Sequence, residues 1–145
     1  MDVYNHLSSC DTGFIPPLSS KVELRSYSKK LTSKAYRFEF WVNDELMALV
    51  AMYCDDHERK IAFITSVSVH ESLRGQGIAK KLLINAIEYA ANIQMASVKL
   101  ELSADNEKAF NLYRNMKFQS ISREDKVIMM ELKIFGETCV GNERL

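Results

Sequence analysis

Two glycines stand close together in the segment Leu73-Arg74-Gly75-Gln76-Gly77-Ile78-Ala79. Glycines at the start of a helix let backbone N–H groups converge on an anion without obstruction by Cβ, and the helix dipole adds positive potential there. Lys80 and Lys81 follow at once, although cations in the first turn of a helix oppose the dipole unless an anion compensates. The segment therefore predicts a phosphate-binding loop, and a glycine turn with solvated lysines is the alternative.

The spacing around this loop excludes two common nucleotide-binding motifs. The dinucleotide fingerprint needs a third glycine at position 80, where Lys80 stands, and the Gly-Lys-Ser/Thr of a P-loop is absent. The loop is therefore predicted to bind an anion through neither of these motifs.

A second segment with chemical potential is Asn106-Glu107-Lys108-Ala109-Phe110-Asn111-Leu112-Tyr113, followed by Phe118. Residues seven apart share a helix face, so Asn106 and Tyr113 can address one ligand. Taken alone, this helix is also compatible with a capping Asn and a core Tyr.

Together, the two segments resemble those of the GNAT superfamily of acetyl-CoA-dependent N-acetyltransferases. Arg74, Gly77 and Ala79 satisfy the pattern Arg-x-x-Gly-x-Ala of the pyrophosphate loop, and the second segment is similar to the Asn-x-x-Ala-x-x-x-Tyr helix and its closing Phe. The resemblance implies acetyl-CoA as cosubstrate and no metal. The residues implied to bind it are Val67, Ser68, Val69, Arg74, Gly75, Gln76, Gly77, Ile78, Ala79, Lys80 and Asn106.

The resemblance also implies a mechanism of direct acetyl transfer to a primary amine. This reaction needs a neutral amine, stabilisation of an oxyanion and a proton for the departing thiolate. Tyr113 is implied as the acid, and a tyrosine hydroxyl has an ordinary pKa of about 10. Glu101 is implied as the base, because members acting on protein N-termini have a glutamate at the corresponding position, and a water relay is the alternative.

Two further sets of residues are weaker candidates. His70 could act as a base on pKa grounds, but its position beside the loop favours a structural role. His6 and Cys10 stand four residues apart in a segment that forms a helix in our prediction, which would suit a thiol nucleophile or a metal pair, but no third ligand or partner is indicated. Neither set is assigned a function.

Three functions remain open. The leading hypothesis is acetylation of a small-molecule amine, the second is acetylation of a protein N-terminus or lysine, and the third is acyl-CoA binding without catalysis. Nineteen basic residues balance nineteen acidic ones, which disfavours nucleic acid as a partner. We predict a cytoplasmic protein, because the cysteines at 10, 54 and 139 are scattered and no export signal is present. The apolar runs are too short to predict a membrane segment. A homodimer is left open.

The elements that must position these residues follow from hydrophobic periodicity in the 145 residues, which are predicted to form a single N-acetyltransferase domain. The predicted fold is α/β (α+β) and GNAT-like, with a central mixed, mostly antiparallel sheet flanked by helices. Helices are expected at about 20 to 34, 77 to 92 and 105 to 116, with a short one near the amino end. Strands are expected at about 36 to 42, 45 to 54, 61 to 69, 97 to 102, 118 to 123 and 126 to 134.

Three local features complete the prediction. Ser20-Lys21-Val22-Glu23 has the form of a capping box at the start of the helix near residue 20. The family ordinarily opens with a strand, which residues 6–18 do not resemble. Lys117 stands where the family usually has glycine, in a left-handed position where a side chain costs about 1 kcal/mol.

Overall fold

The computed structural model describes residues 2–134; Met1 and the chain from residue 135 onward, including Cys139, lie outside the described part. The helices are α1 (Asp2–Cys10), α2 (Leu24–Lys34), α3 (Ile78–Asn92) and α4 (Glu107–Asn115). The strands are β1 (Tyr36–Val42), β2 (Glu45–Asp56), β3 (Ile61–Val69), β4 (Ser97–Ser103), β5 (Gln119–Glu124) and β6 (Val127–Lys133). Short 3₁₀ turns occupy Asp11–Gly13, Leu18–Ser20 and Glu71–Leu73.

Six strands form one sheet in the order β1-β2-β3-β4-β6-β5. The pairs β1–β2, β4–β6 and β5–β6 are antiparallel, whereas β3 and β4 are parallel. Parallel neighbours need a crossover connection, and α3 provides it. The predicted mixed, mostly antiparallel sheet with flanking helices is confirmed.

The chain divides into two compact units. Within the described residues, the first unit contains 2–53 and 65–86, and the second contains 54–64 and 87–134.

In the first unit, α1, α2 and β2 share a buried apolar cluster. Its members are Val3, Leu7, Leu31, Leu46, Leu49 and Ala51, with Phe14 and Tyr27 packed against it. Val3 and Leu7 are four residues apart on α1, so one face of this helix is apolar and buried. This packing fixes which residues of α1 point inward, including His6 and Cys10.

The turn between β1 and β2 has the geometry of a tight hairpin. Asn43 and Asp44 have φ values of +49° and +63°, as expected for a type I′ turn, and both residue types tolerate the left-handed region. The register shifts between Phe40 and Trp41, which marks a β-bulge. The period-two pattern of this strand is therefore interrupted before its end.

The start of α2 differs from the predicted capping box. The helix begins at Leu24, and the side chain of Glu23, its N-cap, accepts hydrogen bonds from the backbone N–H groups of Arg25 and Ser26 at 3.0 Å each. Ser20 belongs to a 3₁₀ turn, where its hydroxyl donates to the carbonyl of Pro17. The carboxylate that would have closed a box is itself the cap, so the helix starts several residues later than expected.

In the second unit, α4 ends with a left-handed residue as in the predicted family pattern. Lys117 has a φ of +80°, and the backbone N–H of Phe118 donates to the carbonyl of Tyr113 at 3.0 Å. This bond closes the helix over its last carbonyl groups. The ring of Phe118 then lies 5.8 Å from the ring of Tyr113, centroid to centroid.

Candidate active site

A short connection joins the end of β3 to α3. The backbone N–H of His70 donates to the carbonyl of Met47 at 2.8 Å, which attaches the connection to β2. His70 Nδ1 accepts the backbone N–H of Ser72 at 3.2 Å and so caps the 3₁₀ turn Glu71–Leu73. His70 thus has the structural role that its position suggested.

The two loop glycines adopt conformations that other residues rarely reach. Gly75 and Gly77 have φ values of +80° and +78°, and a Cβ placed on either would meet nothing within 4 Å. Helix α3 begins immediately afterwards, at Ile78. The backbone N–H groups in its first turn have no carbonyl partner within the helix, so this end attracts an anion. The loop combines open space with positive potential.

A cavity of about 190 Å³ adjoins this loop in the first unit. It is lined by Cys10, Gly13, Phe14, Val67, Ser68, Val69, Arg74 and Ala79. Five of these were predicted site residues, and the structure brings them together. The other predicted loop residues, Gly75, Gln76, Gly77, Ile78 and Lys80, lie in the same connection and the first turn of α3. The three lining residues from the amino-terminal region were not predicted.

Arg74 is oriented by two parts of the first unit. Its Nε donates to the carbonyl of Val69 at 3.1 Å. Its guanidinium lies against Gly13, where an added Cβ would collide with a guanidinium nitrogen. Gly13 therefore leaves the space that Arg74 occupies at the wall of the cavity.

Behind the cavity wall, α1 contributes a buried histidine. His6 Nδ1 lies 3.1 Å from the carbonyl oxygen of Leu46, and His6 Nε2 lies 2.8 Å from the hydroxyl of Ser68. Cys10 Sγ is 3.8 Å from His6 Nε2. Burial lowers the pKa of His6 and raises the pKa of the Cys10 thiol, so both groups are held in their neutral forms.

The spacing of His6 and Cys10 indicated no partner for this pair. The missing partner is Ser68, which stands 62 residues away in the chain. The sequence indicates the inward orientation of His6 only through the apolar positions of α1. Residues 3, 6, 7 and 10 lie on one buried face of this helix.

The second unit holds the remaining predicted residues. Glu101 lies on β4 opposite Met129 of β6 and is exposed to solvent. Asn106 is the N-cap of α4, and its side-chain oxygen accepts the backbone N–H of Ala109 at 3.1 Å. Tyr113 is only 6% exposed, and burial raises the pKa of its hydroxyl to about 12.

No cluster of three or more His, Cys, Asp or Glu side chains within residues 2–134 has the arrangement to hold a metal ion. Within the same range, none of the helices has the length and apolar character needed to cross a membrane.

Comparison with known proteins places the chain in a family. Residues 1–118 match the model of the Acetyltransferase (GNAT) family. The chain belongs to this family, whose members are acyltransferases that act on amine acceptors.

Individual relatives are more distant. The uncharacterized N-acetyltransferase YdgE of Bacillus subtilis strain 168 is 37% identical over 82 residues, which cover 53% of this chain and 52% of YdgE. The chain therefore spans about half the length of this curated relative.

Two solved structures share the fold. The ribosomal-protein-S18-alanine N-acetyltransferase of Escherichia coli has a TM-score of 0.70 at 19% identity and covers 90% of each chain. The PaiA N-acetyltransferase of Thermoplasma acidophilum, solved in complex with coenzyme A, has a TM-score of 0.73 at 12% identity and covers 91% of each chain.

Proposed function

We propose that this acyltransferase transfers an acetyl group from acetyl-CoA to the primary amine of a small-molecule acceptor. The observation that carries the proposal is the open glycine loop at the start of α3, which adjoins the cavity bounded by Val67–Val69. An anion beside the loop and an apolar arm along β3 are what a coenzyme A thioester would supply. The relative solved with coenzyme A supports this cosubstrate.

The proposed binding mode assigns different parts of the cosubstrate to different backbone segments. The pyrophosphate lies against the residues that lead into α3, which are Arg74, Gly75, Gln76, Gly77, Ile78, Ala79 and Lys80. The ladder between β3 and β4 ends at Ile64 and Leu100, so Val67–Val69 lie beyond it. An extended pantetheine arm can pair with this stretch as an added strand would. The side-chain oxygen of Asn106 is engaged in its cap, so contact with the cosubstrate would fall to its Nδ2.

The chemistry then needs an acid and a route for protons. Backbone N–H groups of Val67–Val69 stabilise the oxyanion in the proposed mechanism. In the proposed mechanism Tyr113 protonates the departing thiolate, since its hydroxyl carries a proton at neutral pH. Glu101, on the exposed side of β4, takes the first proton from the incoming ammonium group.

A second acceptor class is acetylation of a protein N-terminus. Two observations favour it: the exposed position of Glu101 and the fold shared with a ribosomal-protein-alanine acetyltransferase. An acyl-CoA-binding module without turnover is the remaining alternative.

One experiment separates these functions. Purified protein is incubated with acetyl-CoA and a panel of amino sugars, amino acids, polyamines and short peptides, and release of free thiol is followed. We expect thiol release with one class of small amine. Release only with peptides would support the second acceptor class, and binding of acetyl-CoA without any release would contradict an enzymatic function.

A further inference from the structure

We propose that Ser68 and His6 form a proton relay that removes the second proton of the acceptor amine during acetyl transfer. This inference rests on the proposed function and adds a proton acceptor inside the first unit. Ser68 is the group that faces the substrate, and His6 acts through it from behind the cavity wall.

The hydrogen bonds determine which way the protons point. A carbonyl oxygen can only accept, so the contact between His6 Nδ1 and the Leu46 carbonyl requires that Nδ1 carries the hydrogen. In the neutral ring, Nε2 is then an acceptor, and the hydroxyl of Ser68 donates to it at 2.8 Å. The arrangement leaves the lone pairs of the Ser68 oxygen for a new proton.

His6 lies deeper than Ser68, behind the wall of the cavity. Ser68 lines the cavity and is 8% exposed, whereas His6 is 2% exposed and is not part of the lining. A ligand in the cavity can therefore contact Ser68 but not the imidazole of His6. The Leu46 carbonyl holds the ring in place and would stabilise the imidazolium formed when Nε2 accepts a proton.

Acetyl transfer must remove two protons from the ammonium group, and the relay accepts the second. After the ammonium group has lost its first proton, the amine nitrogen attacks the thioester carbon and a C–N bond forms. The Ser68 oxygen takes the second proton from the nitrogen while its own hydrogen passes to His6 Nε2. Collapse breaks the C–S bond, and the thiolate receives a proton from Tyr113.

The end state is amide and free thiol, with one proton released per ammonium consumed. After the products leave, Glu101 and His6 each return a proton to solvent and the Tyr113 phenolate regains one, which leaves one proton released. No oxidant, reductant or metal is needed.

The surroundings keep His6 able to accept. Burial is the main cause of its lowered pKa, and the charge on His70 lowers it further. The carbonyl of Leu46, the contact with Ser68 and the charge on Glu39 act in the opposite direction. The nearest titratable group on α1 is Cys10, whose raised pKa keeps it neutral. His6 is therefore unprotonated at neutral pH.

The test uses two variants that keep the local shape. His6→Gln retains a polar group beside Ser68 but cannot take up a proton, and Ser68→Ala removes the hydroxyl. The controls are His57→Gln and Ser120→Ala, which change exposed residues of the same types. For each protein, kcat, KM for the amine, CoA affinity and the pH profile of kcat/KM are measured.

We expect kcat to fall about 10²-fold in both relay variants, with CoA affinity changed less than about twofold, since general base catalysis typically contributes this much. The wild-type profile should have an acid limb below the ordinary histidine pKa of about 6.5, and His6→Gln should lose it. Unchanged kcat in folded variants overturns the relay and leaves the proposed function intact. A lower kcat together with lost CoA affinity and a retained acid limb assigns a structural role and also overturns it. Wild-type protein without turnover on any amine overturns the proposed function, and the relay with it.

A measurement on the wild-type protein covers the case in which the variants do not fold. Long-range proton–nitrogen NMR correlations distinguish the two neutral tautomers of histidine. The relay requires hydrogen on Nδ1 of His6. Finding hydrogen on Nε2 instead overturns the proposal without any substitution.

Discussion

Three side chains near the predicted ligand sites form hydrogen bonds with the backbone of their own segments. Asn106 caps α4, His70 caps the turn after β3, and Arg74 donates to the carbonyl of Val69. These bonds order the backbone groups around them. At the scale of the residue, these three side chains therefore hold the backbone of their own segments in position.

Tyr113 offers a direct test of the proposed acid. Tyr113→Phe keeps the ring and its contact with Phe118 and removes only the proton donor. We expect kcat to fall about 10²-fold with little change in acetyl-CoA affinity, the pattern of an interaction made in the transition state. Steady-state kinetics and calorimetric binding check this, with the exposed Tyr36→Phe as the control. Full kcat in Tyr113→Phe would return the residue to a packing role.

Glu101 is tested through the pH dependence of its effect. Glu101→Gln should lower kcat/KM about 10-fold at pH 7, because the ammonium group then loses its first proton less readily. The defect should shrink as the pH rises past the alkylamine's own pKa of about 10.4, above which most of the amine arrives neutral. The control is the exposed Glu88→Gln. A defect that is the same at every pH would argue against proton transfer to this carboxylate.

At the scale of the element, the start of α3 combines two left-handed glycines with a helix terminus. Gly77→Val places a branched side chain in the open space beside the loop. We expect CoA affinity to fall at least about 100-fold, with a smaller loss of stability of about 1 to 2 kcal/mol from the positive φ. Gly77→Ala separates the two effects, since it has the backbone strain with only a methyl group. Normal CoA binding by the Val variant would mean that the pyrophosphate lies elsewhere.

The end of α4 makes a prediction about stability alone. Lys117 adopts a φ of +80°, which costs a residue with a side chain about 1 kcal/mol relative to glycine. Lys117→Gly should therefore raise the free energy of unfolding by about 1 kcal/mol, measured by urea denaturation. Lys108→Gly, in the first turn of the same helix, should not raise it, because Lys108 has no left-handed strain to relieve. A destabilised Lys117→Gly would show that the lysine side chain contributes more than the backbone strain removes.

Some elements were predictable because their signals are local. The hydrophobic periodicity that predicts a strand at about 61 to 69 and a helix at about 77 to 92 depends on neighbours in sequence, and the structure has β3 and α3 at these places. The start of α2 was wrong because Ser20 and Glu23 match a capping pattern that competes with a cap by Glu23 itself. Short patterns of this kind do not show which of two polar residues will bind the helix terminus.

At the scale of the whole molecule, the predicted cosubstrate should stabilise the fold. A ligand that binds only the native state at 100 times its Kd adds about 2.7 kcal/mol, which corresponds to a Tm increase of roughly 5 to 10 °C for a chain of this size. We expect acetyl-CoA and CoA to produce such a shift and NAD and ATP to produce much less. Differential scanning fluorimetry checks this. An equal response to NAD would remove the argument for a CoA site.

The cavity shows what sequence could not supply at this scale. Val67, Ser68 and Val69 were expected beside the cosubstrate from a resemblance, and they do line the cavity. Cys10, Gly13 and Phe14 come from the amino-terminal region, whose path depends on tertiary packing of α1 rather than on a local pattern. The pairing of His6 with Ser68 is likewise a product of tertiary structure and has no sequence signature.

The contact between Gly13 and Arg74 links two parts of the chain that are 61 positions apart in the printed sequence. A side chain at position 13 would meet a terminal nitrogen of the arginine, so the guanidinium would have to shift from its present course. In homologues, a residue larger than glycine at position 13 should be accompanied by a different path or a shorter side chain at position 74. The position of Arg74 thus depends on Gly13, a residue outside the Arg-x-x-Gly-x-Ala pattern.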